Sequence, residues 1–265
     1  MKKTILLFLC AMSYMAAGAQ VTTSNATITF SSNNFESTGE GCACASDNVF
    51  TIGTGTKVCF SKGNLQFNLG DETWRFAENQ YDYIGNNPGN TDPTATTANT
   101  WIDLFAFGTS GYNNLSPRGT TTATSSIAMT NYDWGVFNAI TNGGNASGQW
   151  RTLTSAEWNY LFNTRNFASS KYATNCTVNG QKGLIILPDG WNSSATDEVK
   201  VNTGTGGVNT YTISQWQFLE AKGAIFLPRD NSSNLGYYWT SNQSSTTNAY
   251  YLYATASAAP TSSNN

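Results

Sequence analysis

The stretch Trp150-Arg-Thr-Leu-Thr-Ser-Ala-Glu-Trp158-Asn-Tyr-Leu-Phe-Asn-Thr-Arg165 carries a helix start followed by a one-sided aromatic stripe. Thr154 stands three residues ahead of Glu157. At that spacing a hydroxyl caps the N3 amide and the carboxylate reaches back to the cap's own N–H. Trp158, Leu161 and Phe162 then recur at i, i+3 and i+4, so one face is apolar and needs a surface to cover it. A second unit repeats the pattern, with Ser214 as cap, Gln217 at the third position and Gly223 as the stop. Two strands of one form follow the helices, Gly183-Leu-Ile-Ile-Leu-Pro188 and Gly223-Ala-Ile-Phe-Leu-Pro228, each ended by a proline that cannot extend a ladder. Two helix-then-strand units set on a sheet predict an α+β domain.

Working outward, Lys57-Val-Cys-Phe60, Asn64-Leu-Gln-Phe67 and Thr73-Trp-Arg-Phe-Ala77 alternate apolar and polar residues, as half-buried strands of an antiparallel sheet do. Residues 85–100 and 113–130 are polar loops flanked by Trp101, Tyr112, Tyr132 and Trp134. Loops of that length inside one domain are expected to be functional or packed by their own aromatics. The chain closes with Gly236-Tyr-Tyr-Trp-Thr-Ser241 and Ala249-Tyr-Tyr-Leu-Tyr253, two strands joined by a polar loop. Trp150, Trp158, Trp216 and Trp239 lie in or beside regular elements and are expected in the core.

The N-terminus reads as a secretory leader: Lys2 and Lys3, an apolar run over 5–12, then Ala17-Gly-Ala19 before Gln20. The expected organisation is a signal peptide at 1–19, a leader or linker at 20–48 with a β-like run at 26–30, one folded domain at 49–256 and a flexible tail at 257–265. The apolar run is too short for a permanent span, and no later stretch reaches the ~20 apolar residues a span needs. The expected destination is therefore secreted or cell-surface. Cys10 lacks the small neighbours of a lipid-attachment site.

Thirteen Lys and Arg face 16 Asp and Glu, and loss of Lys2 and Lys3 with the leader brings the net charge to about −5. Nucleic-acid binding, which needs clustered cations, is not expected. Only 11% of residues are charged, so Ser, Thr, Asn and Gly carry the solubility. That chemistry suits contacts with glycan or protein through neutral hydrogen bonds. Removal of the leader leaves Cys42, Cys44, Cys59 and Cys176, an even count that favours two disulfides with three possible connectivities. Free thiols are the next alternative; Cys-x-Cys with two isolated cysteines is a poor zinc pattern. The chain has no histidine, which excludes Ser-His-Asp and Cys-His catalysis and the commonest imidazole metal ligand.

Asp82, Asp103, Asp133 and Asp189 sit beside aromatics or glycine, where calcium is conceivable. No short Asp-x-Asp cluster supplies the six to eight oxygens it takes, so turn capping is favoured and no cofactor is expected. Asn86-Asn-Pro-Gly89 faintly matches a lectin sugar-binding tripeptide, a string that such loop composition produces by chance. In the C-terminal hairpin, if Tyr250 and Leu252 face the core, Tyr251 and Tyr253 face away from it. Tyrosine displayed with Asn and Ser is paratope-like. The candidate binding residues are Tyr238, Asn242, Gln243, Asn248, Tyr251 and Tyr253. The competing reading packs these tyrosines under loop 85–100.

The helix at 154 is similar to that of the formylglycine-generating-enzyme and C-type-lectin-like superfamily, whose members read Arg-Leu-Pro-Thr-x-Ala-Glu-Trp. Arg151, Thr154, Ala156, Glu157 and Trp158 match, while Thr152 and Leu153 replace Leu and Pro. Phe60-Ser-Lys-Gly-Asn-Leu-Gln66, Trp74-Arg-Phe-Ala-Glu-Asn-Gln-Tyr-Asp-Tyr-Ile-Gly85, Trp101-Ile-Asp-Leu-Phe105, Gly108-Thr-Ser-Gly-Tyr-Asn-Asn114, Asn131-Tyr-Asp-Trp-Gly135 and Tyr238-Trp-Thr-Ser241 resemble exported gut-bacterial proteins with a C-type-lectin-like domain. These blocks span most of residues 56–253. The resemblance implies two helices packed on twisted antiparallel sheets with long loops. It also implies kinship with the variable ligand-binding proteins of diversity-generating retroelements, whose C-terminal strands and loops form a recognition face. Family members end in a strand of the type Ser-Val-Arg-x-Val; here residues 255–265 are Ala, Ser, Thr, Pro and Asn, so the chain is truncated or the domain closes differently. The oxidising enzymes of the superfamily use a cysteine pair in the C-terminal part of the fold, and no cysteine follows Cys176. The expectation is a non-catalytic protein that binds a surface glycan or protein. The alternatives are a structural or adhesive surface component and a degenerate enzyme of the formylglycine-generating type.

Overall fold

The capping box at Thr154 forms as its spacing predicts. Thr154 Oγ1 accepts from the Glu157 amide at 3.2 Å, and Glu157 Oε2 accepts from the Thr154 N–H at 2.7 Å. Arg151 grips the same carboxylate through both terminal nitrogens, at 2.9 and 2.6 Å. The helix Ser155–Asn159 continues into one π turn, Tyr160–Thr164, and buries Trp158, Leu161 and Phe162. Trp158 stacks on Phe162 with ring planes 6° apart and lies 5.6 Å from Phe60.

The computed structural model describes residues 30–31, 34–36, 48–85, 88–92, 101–193, 197–231 and 234–264. The expected leader at 1–19, Cys10, Cys42, Cys44 and Asn86-Asn87 lie outside them. The first eight strands are β1 (Phe30–Ser31), β2 (Asn34–Glu36), β3 (Phe50–Gly53), β4 (Thr56–Val58), β5 (Ser61–Gly63), β6 (Leu65–Asn68), β7 (Trp74–Phe76) and β8 (Trp101–Ile102). They are followed by β9 (Tyr172–Val178), β10 (Gln181–Ile186), β11 (Gly204–Tyr211), β12 (Ile225–Pro228), β13 (Gly236–Gln243), β14 (Ala249–Ala254) and β15 (Thr261–Asn264). The α-helices are α1 (Pro88–Thr91), α2 (Trp134–Phe137), α3 (Ser155–Asn159) and α4 (Ile213–Ala221). The chain is mixed α+β, mostly sheet with few helices.

The largest described sheet runs β11-β9-β10-β12. Leu184, Ile186, Ile225 and Leu227 turn to the core around Trp158, while Ile185, Leu187, Ala224 and Phe226 turn to the core around Trp216. Both faces are covered, which is why these strands read as continuous apolar runs rather than alternating ones. β11 runs parallel to β9, a departure from the antiparallel expectation: antiparallel β10 brings the chain back to the end where β9 begins, β11 then starts there on the other side of β9, and α4 leads on to β12 at the far edge. A third core, around Trp74, Trp134 and Trp150, fills the space beside sheet β7-β6-β8.

Four expectations are corrected. The cap of α4 is Thr212, not Ser214: Thr212 is extended, Gln215 Oε1 accepts from its N–H at 2.9 Å, and its hydroxyl accepts from the Gln215 amide at 3.4 Å. Thr-x-x-Gln occurs directly after β11, so the turn closes two residues earlier than Ser214 suggests. The C-terminal tail is not wholly loose, since residues 261–264 pair antiparallel with β14 in the register Tyr251↔Ser263 and Tyr253↔Thr261. The two-disulfide scheme fails at Cys176, a free thiol 1% exposed in the Trp216 core. Burial pushes it up to about 12. Cys59 is disulfide-bonded. Finally, Trp150, Trp158 and Trp216 are buried as expected, but Trp239 is only half-buried.

Candidate functional site

One face of the sheet β13-β14-β15 packs on the Trp158 core, and the other is covered by the Trp134 core at Ala249 and Trp239 and open towards Tyr237. Leu252, Ala254 and Tyr238 belong to the Trp158 core. Strand alternation therefore places Tyr237, Trp239, Tyr251 and Tyr253 on the other face. The register sets Tyr237 opposite Tyr253 and Trp239 opposite Tyr251. Their rings touch: Tyr237 lies 5.2 Å from Tyr251 and 5.5 Å from Tyr253, and Trp239 lies 6.3 Å from Tyr251. Tyr237 is 51% exposed, and Tyr251 and Tyr253 are half-buried in the ridge the rings build. Trp239 anchors it, its indole N–H donating to Phe105 O at 2.8 Å while its ring meets Phe107 edge-on.

Loop 113–130 braces this face from one side. The Ala123 amide donates to Phe107 O and the Ile127 amide to Ser241 O, both at 2.9 Å. Gly108, at φ +72, lets the two segments meet so closely that a Cβ there would stand 2.5 Å from that of Ala123.

The six candidate residues separate. Tyr238 is a correction: it is 2% exposed, its hydroxyl donates to Pro228 O, and burial holds its phenol well above the usual range. Asn242 Oδ1 accepts from the Ser155 amide at 2.8 Å and from Ser155 Oγ at 3.2 Å, so this side chain ties β13 to the start of α3. Gln243 is half-buried and its amide donates to Ser126 Oγ. Asn248 is exposed in the hairpin turn, where its carbonyl accepts from Ser244 and Ser245 amides. Tyr251 and Tyr253 share the outer ridge, beside a residue the sequence reading missed, Tyr237. Alternation carried through β13 from Leu252 and its partner Tyr238 would have found it.

At the Gly236 end of the ridge lies a cleft of about 240 Å³ with Tyr83, Asp103, Leu104, Asp230 and Tyr237 in its walls. Asp103 is 1% exposed and accepts from Asn90 Nδ2 at 2.8 Å and the Ile84 amide at 3.2 Å. Burial outweighs these bonds and lifts its carboxyl to about 6. Burial, with Asp230 and Asp103 adding to it, pushes the Tyr83 phenol up to about 12.

The other aspartates that sequence offered as oxygen ligands have protein partners. Asp82 accepts from the Asn79 amide, Asp133 caps α2 and binds Thr152, and Asp189 holds Thr51 and Arg165. Among the described residues no three His, Cys, Asp or Glu side chains gather to hold a metal ion, and no helix is long and apolar enough to cross a membrane. In comparisons with family models, curated proteins and solved structures, nothing matches this chain.

Proposed function

We propose that this chain is an exported, non-catalytic recognition protein on a C-type-lectin-like scaffold, holding a surface glycan or protein against the outer face of β13–β15. The observation that carries the reading is the exposed aromatic ridge of Tyr237, Tyr251 and Tyr253. Tyrosine offers a rigid apolar ring with a polar tip at small entropic cost, the composition of adaptable binding surfaces. The hairpin turn at 244–248 adds hydroxyls and the Asn248 amide beside it. Export rests on the leader-like N-terminus and the family relationship on the sequence blocks given above.

The test replaces Tyr251 and Tyr253 together by alanine. Capture on an array of bacterial and host glycans and surface proteins should be lost, while the melting temperature changes by no more than a few degrees. An unfolded or strongly destabilised variant would assign these rings to the core and end the proposal.

One observation favours assembly as a second reading. Among the described residues β15 pairs on one side alone, with β14, and an open strand edge is a template for pairing with another chain. Silence on the arrays combined with concentration-dependent oligomers would support a structural or adhesive component instead.

A further inference from the structure

β15 fits its place poorly, and the misfit shows what the place is shaped for. In the inner row of the sheet, the register sets Tyr238, Leu252 and Ser262 side by side on the three strands. Tyr238 and Leu252 are members of the Trp158 core. Ser262 continues their row above α3, which packs beneath all three strands. Its Oγ is buried and has no hydrogen-bond partner. A hydroxyl shut away from water without a partner is costly, whereas an aliphatic side chain there escapes that cost and adds buried apolar area.

The rest of the strand is held lightly. Pro260, buried just ahead of β15, has no N–H to give a ladder. Thr261 is exposed and Ser263 half-buried in the outer rows, beside Tyr253 and Tyr251. β14 runs Ala249–Ala254, yet β15 pairs only with Tyr250 to Tyr253, so a longer partner would gain ladder at both ends. The chain leading to β15 is fixed at Ala256, whose carbonyl accepts from Thr174 Oγ1 at 2.9 Å, and residues 257–259 are exposed. Release of the chain beyond Pro260 takes no member out of the Trp158 core.

We infer that the side of β14 covered by β15 is a slot for an extended protein segment with an aliphatic residue opposite Leu252, and that residues 261–264 are a placeholder which such a segment displaces. Main-chain pairing supplies the hold. The position opposite Leu252 supplies the selection, because a slip of one residue turns the aliphatic side chain outward. Alternate side chains of the segment then lie beside Tyr251 and Tyr253, which narrows the ligand of this face to a protein. The slot itself rests on the register of β14 and on Ser262, not on the tyrosine ridge.

The experiment measures, by fluorescence polarisation, the binding of labelled peptides to the full chain. Acetyl-Pro-Thr-Val-Ser-Val-Thr-amide places valine in the inner row. Pro-Thr-Ser-Ser-Asn-Thr repeats the tail, and an N-methylated form of the valine peptide keeps the side chains but lacks the ladder donors. The valine peptide should bind saturably, and the other two at least about tenfold more weakly. Ser262→Val strengthens the placeholder: it should raise the melting temperature by several degrees and weaken the valine peptide by about tenfold or more. Ser262→Asp puts a charge into the slot, so it should lower the melting temperature and strengthen the peptide by about tenfold. Should Ser262→Asp fail to fold, Ser262→Val and the N-methylated peptide decide. No saturable binding of the valine peptide, binding indifferent to N-methylation, an affinity unmoved by Ser262→Val, or a lower melting temperature in Ser262→Val would overturn the inference. Tyr251→Ala should leave peptide binding unchanged. Loss there would place the peptide on the ridge and end the slot alone, whereas failure of the ridge on the arrays leaves the slot standing.

Discussion

At the scale of single residues, Asp133 does the most with the least exposure. It is wholly buried, its Oδ1 accepts from Thr152 Oγ1 at 3.0 Å and from the Gly135 amide at 3.4 Å, and its Oδ2 accepts from the Thr152 amide at 2.8 Å. One carboxyl thus caps α2 and fixes the chain just ahead of α3. Asp133→Ala leaves those donors unmet in the core and should cost about 3 kcal/mol in urea unfolding. The pH dependence has a definite sign. Burial lifts the folded carboxyl to about 7, whereas in the unfolded chain it ionises near ~3.9. Its contribution is therefore complete below about pH 4 and is lost as pH rises through about 7, where the folded state must ionise inside the core. The stability gap between wild type and Asp133→Asn, measured at about pH 4, 6 and 8, should shift steadily against the wild type across that window. A flat gap would mean that the carboxyl stays charged throughout. Cys176, on the neighbouring sheet, should resist thiol reagents in the native protein and react once denaturant opens the Trp216 core, as peptide mapping of the labelled chain would show.

At the scale of elements, the features legible in the sequence were the ones with local causes. The capping box and the Trp158-Leu161-Phe162 stripe need only neighbours within two turns, and both appear as spaced. Trp158→Ala should cost roughly 3–5 kcal/mol by opening a cavity between Phe60 and Phe162, read from the midpoint of chemical unfolding. The misreadings came from pairings between distant segments. Alternation within β14 says nothing of Tyr238 on the neighbouring strand, and its register opposite Leu252 turns it inward. β15 carries no apolar period, since Thr, Ser, Ser and Asn contribute backbone pairing and little else, so nothing in its composition announced a strand. Removing residues 261–264 should leave β14 as an edge and expose the rims of Leu252 and Ala254. The shortened chain should melt several degrees lower and associate in size-exclusion chromatography. An unchanged melt would show that β15 adds nothing to the sheet.

At the scale of the whole molecule, the stabilising and displaying parts are distinct. Three apolar cores gather around Trp158, Trp74 and Trp216, and the four-stranded sheet shares its two faces between the first and the last of them. The tyrosine ridge shares β13 and β14 with the Trp158 core yet points away from it. That separation is why a loss of capture without a loss of stability is the expected signature of the ridge variants. Trp239 also has a practical consequence. Five of the eight tryptophans are buried and keep an unchanging surround whatever happens outside. Trp239 sits half in solvent against Tyr251, so its emission should shift or quench when the ridge is occupied. The protein thus carries its own optical reporter at the place where an arriving molecule would first be felt.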